Sequence, residues 1–415
     1  MRKGLIKNKY PYIEMDDKYV IYTYYHNKLI YVEKDKFDEN EIEKAIIENG
    51  LDVEIKKCAG EYSNCVELII CLTNACNLRC KYCFIGEEGT SFKYISEENI
   101  DKAIEKVRDL ARIQNKEKVV IQFFGGEPTL CRNLMEYAIM QAKNILKDYI
   151  VEFGITTNGV FDTDIADFLI ENNFVIAISM DGLPKFQDEQ RVFANGNGTS
   201  AYLERTIKYL VSKKYNPTIR ITITKYMVPH FRKIIDYLGD LGVKIIHFEP
   251  VTLGGRANSG ETIYRPDPLE LCDALKDSIE YAREKDICIL TSSLMKAASP
   301  CETFCDAVGK NKIAVTYEGL VTSCLGIQSI EHPLSELFIM NTDDVKKWID
   351  ESYHSNISDS EKVECKNCFA KYVCAGGCPS RNFYANKSTE IVDDMHCITT
   401  KTMFEYYITD ILVNQ

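Results

Sequence analysis

At 415 residues the chain exceeds one ordinary hydrophobic core and implies two or three domains. Its 45% apolar and 27% charged residues are those of a soluble globular protein, with no apolar run of the roughly 18–20 residues that spans a bilayer. A formal charge of −12 argues against a general nucleic-acid binder, which needs clustered Lys and Arg, and suits a basic peptide partner better.

The start, MRKGLIKNKY, lacks the apolar middle of a signal peptide, so a cytoplasmic protein is expected, with neither membrane nor nucleic acid as partner. In such a compartment the 17 cysteines, an odd number at short spacings, point to iron–sulfur or zinc ligation rather than disulfides.

In chain order, Tyr19 to Val32 reads as two strands around Asn27-Lys28, and Glu39 to Asn49 as a short helix ending at Gly50. Strand-like runs then recur at Glu67–Thr73, Val119–Phe124, Ile150–Thr156, Val175–Met180, Thr218–Thr224 and Lys244–Pro250. Helical patterns separate them at Glu97–Ile113, Asn133–Leu146, Thr163–Asn172, Tyr202–Lys213 and Phe231–Leu241, and Pro268–Glu284 follows. This alternation predicts an α/β fold with a parallel sheet, an open partial barrel of six units rather than a closed eight-fold one. Functional groups belong at the carboxyl ends of its strands. From Ala298 periodicity weakens while cysteines multiply, which suits a loop-rich domain held by metal clusters. The expected domains are 1–64, 65–297 and 298–415.

The first strand runs into Cys76-x3-Cys80-x2-Cys83-Phe84. Three thiolates at this spacing can hold three irons of a [4Fe–4S] cube and leave the fourth open to a ligand. A zinc knuckle is the alternative, but no His or Cys follows Cys83 within the next forty residues to complete it. Later strands end on Gly125-Gly126-Glu127-Pro128, Thr156-Thr157-Asn158-Gly159 and Ser179-Met180-Asp181-Gly182. Any of these is ordinary turn chemistry by itself; their recurrence at successive strand ends is not.

The triplet, its trailing aromatic Phe84 and these strand ends closely resemble the radical S-adenosylmethionine (SAM) superfamily, over roughly Val66 to Pro250. The resemblance implies a partial (β/α)6 radical SAM barrel whose cluster, on Cys76, Cys80 and Cys83, binds and reductively cleaves SAM to give a 5′-deoxyadenosyl radical. It assigns SAM contacts to Gly125, Gly126 and Glu127 (methionine amino group), to Thr156, Asn158, Ser179 and Asp181 (ribose and carboxylate) and to Arg191 (carboxylate), with Phe84 beside the cluster. It also implies a flavodoxin- or ferredoxin-type electron donor.

Downstream, Cys365-x2-Cys368-x5-Cys374-x3-Cys378 and Cys397, with Cys305 and Gly319-x4-Cys324 upstream, resemble the SPASM extension of radical enzymes that mature peptides. That likeness implies two auxiliary [4Fe–4S] clusters: Cys305, Cys324 and Cys378 for one, with Cys301 as a possible fourth ligand, and Cys365, Cys368, Cys374 and Cys397 for the other. A zinc ribbon is the competing reading of the C-x2-C pair. If Cys301 does not ligate, an iron stays open to a substrate thiolate. The remaining cysteines, the histidines and Trp348 carry no ligand pattern.

Enzymes of this architecture form thioether or carbon–carbon crosslinks in ribosomally made peptides, or oxidise a sulfatase Cys or Ser to formylglycine. The sulfatase-maturing group carries an acid after the auxiliary-cluster cysteine and Gln before GGEP; here Leu325 and Phe124 stand there. The expectation is therefore a thioether-forming maturase of a Cys-containing precursor peptide, with sulfatase maturation, carbon–carbon crosslinking or a non-catalytic iron–sulfur scaffold as alternatives. The N-terminal segment reads as a leader-binding element or a cap.

Overall fold

The computed structural model of the protein describes residues 2–24, 28–55, 64–84, 91–258, 265–295, 297, 300–305, 311–322, 324–327 and 363–412. Asn27, Ala298 and Trp348, named above, and Cys58, one of the remaining cysteines, lie outside these residues. Among the described residues no helix is long and apolar enough to cross a membrane.

The N-terminal part is a four-stranded antiparallel sheet in the order β1 (Lys3–Ile6), β2 (Tyr10–Glu14), β3 (Lys18–Thr23), β4 (Lys28–Glu33). The sequence reading found β3 and β4 and missed β1 and β2. Their hairpin turns at Lys7 and Asn8, both with positive φ (48° and 56°), closed by Lys9 N donating to Ile6 O at 2.9 Å. Such a turn favours Asn or Gly at both places, so a lysine at the first hides it. Helix α1 (Glu39–Glu48) starts at Asp38, whose carboxylate accepts from Asn40 N and Glu41 N. Its Ile42 and Ile46 pack on Ile6, Tyr10 and Ile21 across one sheet face. The opposite face, with Ile13, Val20 and Tyr22, packs on C-terminal residues Phe369, Val373, Phe404 and Ile408.

The main sheet alternates as expected: β5 (Cys65–Cys71), α2 (Glu97–Ile113), β6 (Lys118–Phe124), α3 (Arg132–Ile145), β7 (Ile150–Thr157), α4 (Thr163–Glu171), β8 (Val175–Ser179). It continues through α5 (Pro184–Gln190), α6 (Ser200–Ser212), β9 (Thr218–Ile223), α7 (Phe231–Asp240), β10 (Ile245–Pro250), α8 (Pro268–Arg283) and β11 (Cys288–Leu290). Two C-terminal strands, β12 (Lys312–Val315) and β13 (Val321–Thr322), complete a nine-stranded sheet in the order β11-β10-β9-β8-β7-β6-β5-β12-β13. All pairings are parallel except β12 with β13. The six-unit barrel is thus present, widened by β11 at one edge and by β12 at the other.

Within the strands burial alternates. Val66, Leu68, Ile70, Val119, Ile121, Phe123, Ile176, Ile178, Ile219 and Ile221 face the helices and are buried. The intervening residues, Glu67, Gln122, Thr156, Ser179, Arg220, Thr222, His247 and Glu249 among them, face a polar lumen and keep partial exposure. The register sets Ser179, Arg220 and His247 side by side, with Thr222 beside Glu249 one step nearer the carboxyl ends.

The C-terminal part has few long elements: α9 (Val363–Lys366), α10 (Lys371–Cys374), α11 (Pro379–Asn386) and α12 (Asp394–Tyr406).

Candidate metal and cofactor site

Cys76, Cys80 and Cys83 lie on the loop that leaves the carboxyl end of β5. Backbone bonds fasten this loop on both sides. Gly126 N donates to Thr73 O at 2.7 Å and Glu127 N to Ala75 O at 2.8 Å, while Arg79 N reaches Val192 O at 2.7 Å and Lys81 N reaches Gln190 O at 2.9 Å. The glycines make the first pair possible. A Cβ on Gly126 would stand 2.2 Å from Ala75 O, and one on Gly125, whose φ is 141°, 2.5 Å from Thr73 O. The close approach they permit here is to the cysteine loop itself.

The strand-end polar groups are tied to this loop. Glu127 is buried and accepts from Thr129 Oγ1 (2.6 Å), Thr129 N (3.1 Å), Thr157 Oγ1 (2.7 Å) and Asn158 N (2.7 Å). Burial raises its pKa above the usual carboxylate range even against these donors. Asn158 in turn donates to Asn77 Oδ1 at 2.7 Å and stands 3.8 Å from the Cys76 sulfur. Its neighbour Thr157 makes the bond to Glu127, whereas Thr156, the residue singled out from sequence, faces the lumen. Ser179 faces the lumen as well.

Asp181 and Arg191, ten residues apart in sequence, form an ion pair at 3.2 Å, both buried. Asp181 also accepts from Thr222 N at 3.2 Å and from the Tyr82 hydroxyl. The Arg191 guanidinium sits 5.0 Å over the Tyr82 ring, with Nη1 3.9 Å from the Cys80 sulfur. Burial, the largest single influence, would weaken its hold on a proton; the charges of Asp181, Tyr82 and Cys80 and the Asp181 bond together outweigh it and raise the pKa. Sequence reasoning missed Tyr82 and Gln187, whose side-chain oxygen accepts from Asp181 N at 2.8 Å. The position of Tyr82 inside the triplet was the signal for it.

These surroundings fit a cationic cluster. Burial pushes the Cys76 thiol up to about 12, with the Glu127 charge adding to it, and pushes Cys80 up as well. Adjacent buried thiols of this kind ionise only against a strong cation, which a [4Fe–4S] cluster supplies. Phe84 is exposed, its ring 6.2 Å from that of Phe124, and Arg256 N donates to Cys83 O at 3.0 Å.

The C-terminal cysteines fall into two groups. Cys365, Cys368, Cys374 and Cys397 line one pocket of about 300 Å³, its mouth included, together with Lys371, Gly376, Val392 and Lys401. Ala375, Gly376 and Gly377 all have positive φ, which turns the Gly376 N–H onto the Cys374 sulfur. Burial pushes Cys374 up to about 12, with Cys397, Cys368 and Cys365 adding to it. In the second group burial pushes Cys324 up to about 11, with Cys305 and Cys378 adding, and Gly326 N reaches the Cys324 sulfur at 3.3 Å. Cys301 is buried, its thiol donating to Thr303 O at 3.0 Å.

A bridge between barrel and C-terminal part had no sequence signal. Glu249, near the end of β10, accepts from Arg381 (2.5 Å) and Ser292 Oγ (2.6 Å) and contacts His247 Nε2 at 3.2 Å. Burial pushes this carboxyl up, but the Arg381 charge and the His247 and Ser292 bonds hold it well below its ordinary range. The Arg381 backbone N–H reaches the Cys378 sulfur.

Residues 70–238 match the profile of the Radical SAM superfamily. Over 367 residues the chain is 26% identical to the cysteine-type anaerobic sulfatase-maturating enzyme of Clostridium novyi, covering 80% of this chain and 92% of that enzyme. In fold it is similar to native anSMEcpe with bound AdoMet and Cp18Cys peptide (TM-score 0.67, 21% identity, 85% of this chain, 100% of that one). It is similar too to Streptococcus suis SuiB bound to precursor peptide SuiA (TM-score 0.59, 16% identity, 94% and 99%). With the cysteine loop at the carboxyl end of the first barrel strand and the strand-end groups fastened around it, residues 70–238 make a radical SAM domain, of the kind that takes a [4Fe–4S] cluster and SAM, and the protein that carries it is an enzyme.

Proposed function

We propose that the protein is a peptide maturase that crosslinks a Cys-containing, ribosomally made peptide through a thioether. The likeness in fold to proteins holding the Cp18Cys peptide and the precursor peptide SuiA supports a peptide as substrate class. SAM and its reduced cluster, when bound, supply hydrogen-atom abstraction from an unactivated carbon. The chain's own residues position and shield that chemistry. The Cys76–Cys83 loop would hold the cluster, Asp181, Arg191 and Tyr82 fix the loop's far side, and the polar lumen faces the peptide. Two auxiliary [4Fe–4S] clusters belong to the same reading, one on Cys365, Cys368, Cys374 and Cys397, the other on Cys305, Cys324 and Cys378 with Cys301. A flavodoxin- or ferredoxin-type protein would deliver electrons. The outer strand β4 is where a leader strand would add.

What favours crosslinking over formylglycine formation is that neither the acid after the auxiliary-cluster cysteine nor the Gln before the glycines is present in the sequence. Leu325 follows Cys324 and Phe124 precedes the glycines. Glu249, which reaches Arg381 beside Cys378, is held as its anion by three donors and is a poor proton acceptor. The second reading, maturation of a sulfatase, has the similarity to the C. novyi enzyme over 80% of this chain in its favour.

The experiment is anaerobic incubation of the reconstituted protein with SAM, reductant and either a short Cys-rich peptide encoded beside the gene or a Cys-type sulfatase peptide. Crosslinking gives a loss of two hydrogens and thiols that no longer alkylate. A product without that loss, or with alkylatable thiols, overturns it, and a hydrazine-reactive carbonyl on the sulfatase peptide installs the second reading. Absence of 5′-deoxyadenosine removes both. The C76A variant should lose 5′-deoxyadenosine formation with either peptide.

A further inference from the structure

The charged side chains of the lumen come in pairs. Glu67 faces Lys312 at 2.5 Å, Lys118 faces Glu152 at 2.6 Å, Asp181 holds Arg191 at 3.2 Å, and Glu249 holds Arg381 at 2.5 Å with His247 at 3.2 Å. Arg220 breaks the pattern. It stands on β9 facing the lumen, between Ser179 and His247 in the sheet register, and is the most exposed residue of its strand. No hydrogen bond or ion pair holds its guanidinium among the described residues.

Its surroundings explain why it is unpaired. Ile219 and Ile221 on either side are buried against the helices, so the strand's alternation commits position 220 to the lumen. The charges that act on it are Glu249, already engaged by Arg381, Ser292 and His247, and two further guanidiniums, Arg381 and Arg191. Among the described residues, three arginines against the two carboxylates Asp181 and Glu249 make this part of the lumen positive, inside a protein whose formal charge is −12. An open guanidinium in such a place offers a planar fork of donors that matches a carboxylate in both geometry and charge.

We propose that Arg220 is a substrate-recognition residue, binding a carboxylate of the peptide (an Asp or Glu side chain or the terminal carboxylate) and so setting its register in the barrel. The proposal rests on the peptide-maturase reading for the identity of its ligand. Arg220 is distinguished from Arg191 by level and by commitment: Arg191 touches the Cys80 sulfur and is tied to Asp181, whereas Arg220 lies one step deeper along β9, beside His247. A second source of the same chemistry is the carboxylate of SAM, and the two separate by experiment.

The test uses the fully clustered protein and its R220Q, R220K and R220E variants, with iron content confirming that each has folded. SAM affinity is measured first, by equilibrium dialysis. It should change by less than about twofold in R220Q; a loss of about tenfold gives the carboxylate to SAM and overturns the proposal. The SAM-loaded protein is then mixed with paired synthetic Cys-containing peptides that differ by Asp for Asn or Glu for Gln, and retained peptides are counted by mass spectrometry after ultrafiltration. Wild type should retain the acidic member of some pairs about tenfold better, consistent with a charge-assisted bidentate contact. R220K should keep part of that preference, R220Q should lose it, and R220E should reverse it toward Lys-substituted peptides. Equal retention of both members by wild type, or a preference that survives in R220Q, overturns the proposal. Because retention needs no turnover, a protein that modifies none of these peptides fails the maturase reading while still answering for Arg220.

Discussion

The barrel and the cysteine-rich end are built on different physical terms. In the barrel, apolar side chains from six strands and their helices make one continuous core, and the cysteine triplet sits outside it on a loop. In the C-terminal part, α9 and α10 have four residues each, a single turn, and three consecutive residues take positive φ. Helices of that length do not stand alone in water. Phe369 and, within α10, Tyr372 and Val373 belong to a small cluster shared with the N-terminal sheet. On the proposed reading, similar cysteine spacings do two jobs: on the barrel they serve reactivity, and at the end of the chain their clusters would also brace short elements that have little core of their own.

The largest expected effect divides the two regions. Oxidative removal of all iron with a chelator should strip amide-exchange protection from residues 363–397 while β5–β10 keep theirs, because metal binding at such sites doubles as folding energy. Exchange and iron assays together check this; equal loss in both regions would break the comparison. Replacing Cys76, Cys80 and Cys83 with Ala should leave both regions protected.

The bridge between the regions comes next. R381M leaves Glu249 buried without its cation, which should destabilise the protein by about 3–5 kcal/mol, read as a urea midpoint. Glu249 also carries a pH signature. Its folded pKa lies below the ordinary value of 4.5, so the unfolded chain binds more protons and stability falls as pH drops below about 4.5. E249Q should flatten that decline; an unchanged pH profile would detach this pair from stability.

G126A should be milder, about 1–3 kcal/mol of overpacking, since the new Cβ forces the Ala75 carbonyl aside. Its readout is iron lost selectively at the triplet. Smallest is K401M. The Lys401 ammonium bonds the Cys397 sulfur, so its loss should make the potential of the cluster proposed there more negative in an EPR redox titration. A shift in the opposite direction would remove Lys401 from the tuning of that pocket.

Legibility in the sequence followed locality. Six strands were readable because each alternates over five or more residues, and the triplet because three cysteines fall within eight positions. β11 and β12 were not, being three and four residues long and defined by partners far away in the chain. Thr157, which no spacing singled out, carries the contact to Glu127, while Thr156, expected at SAM, faces the lumen, because successive residues of a strand point to opposite faces. The Glu249–Arg381 bridge joins residues 132 apart, and neither lies in a spacing that announces the other. Arg191 was visible from its distance to Asp181; Tyr82 was signalled only by its place inside the triplet, and its ring beneath Arg191 became visible in three dimensions.

The pairing of β12 with β5 has a bearing on how the chain is made. Until Lys312–Val315 arrives, the edge of β5 that leads into the cysteine loop has its Glu67–Ile70 backbone open on that side. On a ribosome, at ~5–20 residues per second, roughly 240 residues must follow β5 first, a wait of ~10–50 s. An uncovered strand edge over such an interval invites pairing with another chain. Truncation after α8 would make the interval permanent, so the barrel expressed alone should collect in inclusion bodies, and chaperone dependence in the full protein should end with the emergence of residue 315.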